Sequence, residues 1–372
     1  GGTAQFTMAD GSISPVTDND IDLGTASLKY KSFFAGLTDT ENFKVNGGQG
    51  DDGQVLTSTG SGVAWEDAAG GGPTFKTFGT DSIMVGDNAT GTIDAANYNT
   101  GLGVDIFADL TTGDNNTAVG YSSLPDLTTG SNNTGVGYTA LFKNTTASNN
   151  TSVGYDTLFD NTTGHSNTAI GVSALANNTT ALGNTAVGYQ SLLTATTATE
   201  NTAVGYQAGV AITTGSGNNL FGQQSGDAIT TGANNVCFGS FSMDLTAGVT
   251  GSANVTVGNS TMRQMTTGHS NSGLGNGVFV DNTTGILNTA MGSTAQANTT
   301  TGTRNTAVGA ETLNTNTTGE QNTAVGVSAL TSSTTVSGNT GVGFQAGQAV
   351  TTGGGTTAVG SEAGELITTG NF

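Results

Sequence analysis

The sequence predicts an all-β chain wound as a parallel β-solenoid, a β-roll of 17-residue coils behind a small β-rich N-terminal module. Three observations predict it. A short phrase recurs: "NTAVGYQSL" opens at Asn184, "NTAVGYQAG" at Asn201, "NTAVGAETL" at Asn305 and "NTAVGVSAL" at Asn322. With the glycine of each "AVG" taken as position 0, these glycines recur every 17 residues from Gly86 to Gly360, apart from one 19-residue interval, Gly239 to Gly258. The centre of the unit is β-prone, with Thr and Val around the glycine, and no window shows helical periodicity. A unit of this length is too short for two-helix repeats, so stacked single coils follow. Seventeen coils at about 4.8 Å each predict a rod roughly 80 Å long.

Composition agrees with a thin, repetitive core. Only 9% of the 372 residues are charged, 34% are hydrophobic and 60 are Gly. That is too little apolar bulk for one thick core, and too regular for low-complexity disorder. The formal net charge of −20 argues against nucleic-acid binding and against anionic membrane surfaces. A single cysteine, Cys237, excludes an intrachain disulfide framework and any multi-cysteine metal site. No apolar run is long enough for a membrane-spanning helix, so no membrane insertion is expected. The opening Gly1-Gly2 in place of Met suggests part of a longer or processed product.

Each recurrent position becomes a ladder when coils stack. Position −4 is Asn in nearly every repeat, including Asn116, Asn133, Asn167, Asn184, Asn201, Asn305 and Asn322. Such a ladder can bond amide to amide while satisfying turn backbone. Position −1 is apolar throughout (Val119, Val187, Val204, Val308 and Val325 among them), and position 0 supplies the glycine ladder Gly120, Gly188, Gly205, Gly309 and Gly326. Position +10 is often Gly, as at Gly130 and Gly232, which assigns the left-handed residue of a second turn there, after a Thr-rich second strand. Where +4 is large, as at Leu141 and Leu175, +7 is often Asn. Where +4 is Gly, as at Gly209 and Gly226, +7 is Ile. Apolar volume moves from one to the other, so both should point into one interior.

Positions −1 and −2 are both uncharged, although adjacent strand residues face opposite sides. A strand without charge on either face is expected to be covered on both. One cover is the coil interior; the other is most simply further copies of the chain around an axis, a homotrimer. On this reading the small −2 residues, such as Ala186 and Ala307, face the neighbouring copy.

Three segments divide the chain: a β-rich module over 1–67, a Gly-rich linker over 68–80, and the solenoid over 81–372, expected to continue beyond the chain. The first segment carries the only Trp, Trp65, and the stretches "ISPVTDNDIDLGTASLKYKSFFAGL" (13–37) and "GDDGQVLTSTGSGVAWED" (50–67). Asp22-Leu23-Gly24 through Tyr30-Lys31, and Gly53-Gln54-Val55-Leu56, resemble elements that recur between modules of tail fibres and other appendage proteins of tailed bacteriophages. The "NTAVGYQAG…NTTG" repeat resembles such fibres too. It is also similar to the heads of trimeric autotransporter adhesins, whose shorter repeats form a left-handed parallel β-roll of three chains around one axis. The 17-residue unit departs from the adhesin pattern, as does the lack of a recognisable neck, coiled-coil stalk or membrane anchor.

The resemblance implies a left-handed, homotrimeric, non-enzymatic fibre shaft on a virion, which supports or mediates attachment to a host surface. Its partners would be other virion or appendage proteins and a host cell-surface receptor. The alternative is a bacterial cell-surface adhesin or extracellular filament.

Little chemistry competes with a structural reading. His165 and His269, the only histidines, both sit at +11 and six intervals apart, which excludes joint metal binding within one chain. They read as exposed turn residues. No Ser/His/Asp arrangement has support, loops are too short for a depolymerase cleft, and no cofactor is implied. "DNDID" (18–22) reads as a solvated acidic turn rather than a cation site. The "NTT" triplets at Asn144, Asn161 and Asn282 match the glycosylation pattern but read more simply as turn residues. Cys237, at −2, reads as a small buried apolar residue. The two extra residues of the irregular interval are expected in a turn marked by Ala247, Gly248, Gly251 and Ser252.

Overall fold

The computed structural model describes residues 96–244 and 248–369 in full, and before them the backbone of six strands. The chain divides into two compact units, Gly1–Gly72 and Pro73–Phe372. In the first unit, β1 (Phe6–Ala9) pairs antiparallel with β2 (Ser12–Pro15), and β3 (Gln54–Ser58) with β4 (Val63–Asp67). The Asp22-Leu23-Gly24, Tyr30-Lys31 and "DNDID" stretches lie outside the described residues.

The second unit is an all-β parallel solenoid. β5 (Phe75–Lys76), inside the 68–80 stretch, pairs antiparallel with β6 (Ile83–Val85). From β6 on, every coil contributes one three-residue strand: β7 (Thr100–Leu102), β8 (Thr117–Val119), β9 (Thr134–Val136), and so on at positions −3 to −1 up to β22 (Thr357–Val359). Each pairs in parallel with the next, Thr117 to Thr134, Ala118 to Gly135, Val119 to Val136. Side chains of one position therefore lie over one another, and the 17-residue period is the register.

The strand's faces are the reverse of the sequence expectation. In every described strand of the ladder the middle residue, position −2, is buried and its two neighbours are half-buried or exposed. Ala186 and Ala307 are wholly buried inside the coil, while Val325 at −1 is exposed. The −2 column is small because the coil is narrow: Leu141, Leu158 and Leu175 at +4 fill the opposite side of the same interior, with no exposure.

The +4 and +7 exchange is real and has a simple geometry. Leu141 and Asn144, or Gly209's neighbour Ile212, all point inward and are fully buried. A Cβ placed on Gly209 would lie 3.1 Å from the Ile212 Cδ1 and 2.8 Å from a Leu220 methyl. In many coils one large side chain occupies that space, from either position, while Phe107 with Leu110, Leu124 with Leu127 and Met262 with Met265 fill it from both. The +4 residue has a left-handed backbone, φ 55° at Leu141 and 51° at Leu175. That conformation costs about 1 kcal/mol for a non-glycine residue, whereas burying a leucine contributes roughly 2 kcal/mol, so burial wins.

Two further expectations are corrected. The +10 glycines do not carry positive φ; the left-handed residues of each coil sit at −5, +2 and +4, for example Asn115, Ser122 and Leu124. Gly130 is instead required by close stacking, since a Cβ there would come 2.2 Å from the Ala147 carbonyl oxygen. The Thr-rich segment before it forms no regular second strand. It makes a looser ladder, Thr111 N–H to the Thr128 carbonyl at 3.0 Å and Thr128 N–H to the Thr145 carbonyl at 2.8 Å. The threonine hydroxyls donate along the same column, Thr128 Oγ1 to the Thr145 carbonyl at 3.0 Å.

The extra two residues enter earlier than expected. Gly251 is in register, accepting from Asn235 Nδ2 at 3.0 Å, and Ser252 Oγ accepts from Ala233 N–H. Val249 pairs with Ile229 and is fully buried. On the other side Met243 N–H still donates to the Thr261 carbonyl, as its equivalents do. Register is therefore lost and regained between Asp244 and Val249.

Candidate functional site: an uncovered stripe along the solenoid

Three internal and external ladders meet around position 0. The glycine there has φ between 123° and 146° in the described coils, and a Cβ on Gly205 would lie 2.3 Å from the Gly222 carbonyl oxygen. Gly120, Gly188, Gly309 and Gly326 are held in the same way, by both conformation and contact. Their N–H groups donate to the −1 carbonyl of the preceding coil, Gly205 to Val187 at 2.8 Å.

The −4 asparagines form a continuous internal ladder. Asn201 Oδ1 accepts the backbone N–H of Asn218 at 2.9 Å, while Asn201 Nδ2 donates across the coil to the Gly215 carbonyl at 3.0 Å. Asn116, Asn133, Asn167, Asn184, Asn305 and Asn322 repeat the pattern. Each amide thus ties its coil shut and to its neighbour. At the C-terminal end Thr356 takes the position and its N–H still reaches Asn339 Oδ1 at 2.8 Å.

The "NTT" asparagines are corrected by the same geometry. Asn144, Asn161 and Asn282 are wholly buried, not turn residues. Asn161 Nδ2 donates to Asn144 Oδ1 at 2.9 Å, a second internal ladder. Buried side chains of this kind are closed to glycosylation in the folded coil.

His165 and His269 are exposed in turns, each 3.3 Å from the hydroxyl of the next serine. Cys237 is fully buried, its Sγ 3.6 Å from Met243 Sδ, and burial pushes its thiol up to about 11. Among the described residues no three His, Cys, Asp or Glu side chains gather in a metal-binding group. No helix among them is long and apolar enough to cross a membrane.

One charged cluster stands out, at +5 beside the irregular interval. Arg263 grips Asp244 with both Nε (2.9 Å) and Nη2 (3.1 Å). Asp227, one coil away, receives only a 3.3 Å bond from Gln224 Nε2, and its Oδ1 has no partner. Burial, then the nearby Asp244 charge, push the Asp227 carboxyl up to about 7.

The dominant surface feature is a stripe. Most large apolar side chains that remain exposed in the described solenoid lie at −3, −1 or +1, for example Leu102, Ile170, Phe238 and Met291 at −1. The −1 valines 119, 187, 204 and 308 are half-buried within it. At +1 stand Tyr121, Tyr138, Tyr155, Tyr189, Tyr206 and Phe344, each 43–50% exposed. The tyrosines stack on one another, with centroids 5.2 Å apart for 121 and 138, 5.1 Å for 138 and 155, and 5.3 Å for 189 and 206. No charged residue occupies −3, −1 or +1 in any coil from Gly103 to Gly360, although the chain is at −20.

Fifteen steps of about 4.8 Å by four residues of about 3.3 Å make this stripe roughly 900 Å². Threonine at −3 in many coils, and Gln, Ser or Asn at +1 in the coils from Gly222 to Gly292, make it uncharged throughout rather than continuously apolar. Sequence reading missed the +1 column; its signal is the Tyr that follows so many of the "AVG" triplets. Because stacked rings use their faces on each other, they present edges and phenol hydroxyls outward. The stripe therefore offers ring edges and hydroxyls rather than an open platform for flat ligands. No family model, curated protein or solved structure matches the chain.

Proposed function

We propose that the chain is the shaft of a surface-attachment fibre, a non-enzymatic structural part of a phage tail appendage, with three copies around an axis parallel to the stack. The observation that carries this reading is the uncharged stripe running the length of an acidic solenoid. Its area matches the ~800 Å² per partner of a stable interface. Its coil spacing suits a partner of the same rise, and along the stripe two copies at −20 can approach without charged side chains at −3, −1 or +1 meeting. Copies aligned lengthwise close by cyclic symmetry, and three close around the axis the adhesin-like roll implies. The shaft holds a receptor-binding tip away from the particle or meets the host surface through its own ladders. It belongs on the virion, joined to other appendage proteins and facing a host-cell receptor.

Two measurements test it. Native mass of the full chain should give three copies; a single copy at micromolar concentration refutes the assembly. Gold-labelled antibody against the chain should decorate an appendage of phage particles. Label on bacterial surfaces free of particles would select the alternative, a cell-surface adhesin or extracellular filament with the same roll.

A further inference from the structure

The −1 and +1 columns of the stripe trade size in many coils. Where +1 is aromatic, −1 is always Val: Val119 with Tyr121, Val204 with Tyr206, Val342 with Phe344. Where +1 is small or polar, −1 enlarges in most coils: Phe221 with Gln223, Phe238 with Ser240, Met291 with Ser293. Both columns stay small in two coils, at Val308 with Ala310 and Val359 with Ser361. At Val257 with Asn259 both columns are likewise modest in size.

This is the kind of exchange seen inside the coil between +4 and +7, where two side chains share one closed space. Outside the coil it has no cause in a solvated surface, because water fills any shape. A packed interface needs constant volume per layer. The exchange happens within a coil and not between neighbours, so the layer that must be filled is the coil itself.

Resting on the homotrimer reading, we propose that the −1 and +1 residues of each coil form one size-matched pair that packs against the same coil of the other copies, holding them parallel and in register. An antiparallel arrangement about the middle of the stripe would set Tyr189 and Tyr206 against Asn276 and Asn259, and Val172 against Ser293. A parallel shift by one coil would bring Tyr206 to Phe221 and overfill the layer. In register, tyrosine meets tyrosine and each polar +1 residue meets its own copy.

Cross-linking of the full chain reads the register directly. In a Cys237→Ala background, tolerated because −2 is Ala in many coils, Val153→Cys and Val325→Cys are treated separately with a short bismaleimide. Each should give dimers of chains linked through the identical position, and chains carrying one change mixed with chains carrying the other during assembly should give no mixed dimers. Mixed dimers, or none at all, with a three-copy mass would overturn the register while leaving the trimer standing. A one-copy mass would overturn both. Size matching has its own readout. Val204→Phe, a residue that −1 accepts at Phe221, should lower the melting temperature of the assembly, and adding Tyr206→Gln should restore it. Equal melting of the single and double variants would overturn the size code.

Discussion

Replacing Asn201 by Ala should open the solenoid locally, and the size of the effect follows from four contacts. Its Oδ1 accepts from the Asn218 backbone N–H at 2.9 Å and from Asn218 Nδ2 at 3.0 Å. Its Nδ2 donates to the Gly215 carbonyl at 3.0 Å and to Asn184 Oδ1 at 3.3 Å. All these groups lie in the interior, where water does not replace a lost partner. Asn218 N–H loses its sole acceptor, and the Gly215 carbonyl loses the side chain that ties it across the coil. A buried polar group without a partner costs about 1–3 kcal/mol, so the two together should cost about 2–6 kcal/mol. Stability in a stack is nearly a sum over coils and their contacts, so the loss should be local.

Hydrogen exchange read by mass spectrometry is the suitable assay. Protection should fall by two or more orders of magnitude around residues 201–219 and stay unchanged beyond about two coils away. Asn201→Asp sharpens the test, because a carboxylate accepts but cannot donate to Gly215 or Asn184. Its folded-state pKa would be raised, so Asn201→Asp should be most stable below its unfolded pKa near 4 and lose stability as pH rises through the folded value. Unchanged protection in Asn201→Ala would refute the claim that the ladder holds neighbouring coils together.

Other consequences are as specific. Gly205→Ala, with φ 146° and a Cβ 2.3 Å from a carbonyl oxygen, should block regular stacking, whereas Gly248→Ala, with φ 87° and open space, should cost only about 1 kcal/mol; thermal melts compare the two. Deleting Thr246 and Ala247 should restore the 17-residue interval with a near-native melt, while deleting Gly248 and Val249 removes a buried side chain and should cost clearly more. Asp227 binds its proton more tightly when folded, so its contribution is complete below about pH 4 and is lost as pH rises through about 7. Protection near residues 227–230 should therefore decline between those values, and Asp227→Asn should abolish the decline.

Periodicity alone determined most of this architecture. A phrase repeated every 17 residues sets register, coil count and the identity of every ladder, because stacking converts sequence recurrence into spatial adjacency. The +4 and +7 exchange was legible for the same reason: Leu141 and Ile212 answer to one interior volume. What sequence reading got wrong was which face of the strand turns inward: it placed −2 toward a neighbouring copy. Ala186 and Val187 alternate in either case, and an apolar column beside a small one can be written for both orientations. Only the tertiary path decides it. The coil closes so tightly that the interior over the strand has room for Ala at −2 against Leu at +4, and the larger −1 side chains are turned out. The backbone strain was likewise hidden. Asn115, Ser122 and Leu124 carry the left-handed turns, a conformation usual for glycine, and stacking contacts hold them there while the glycines at 0 and +10 answer to carbonyl oxygens of the next coil.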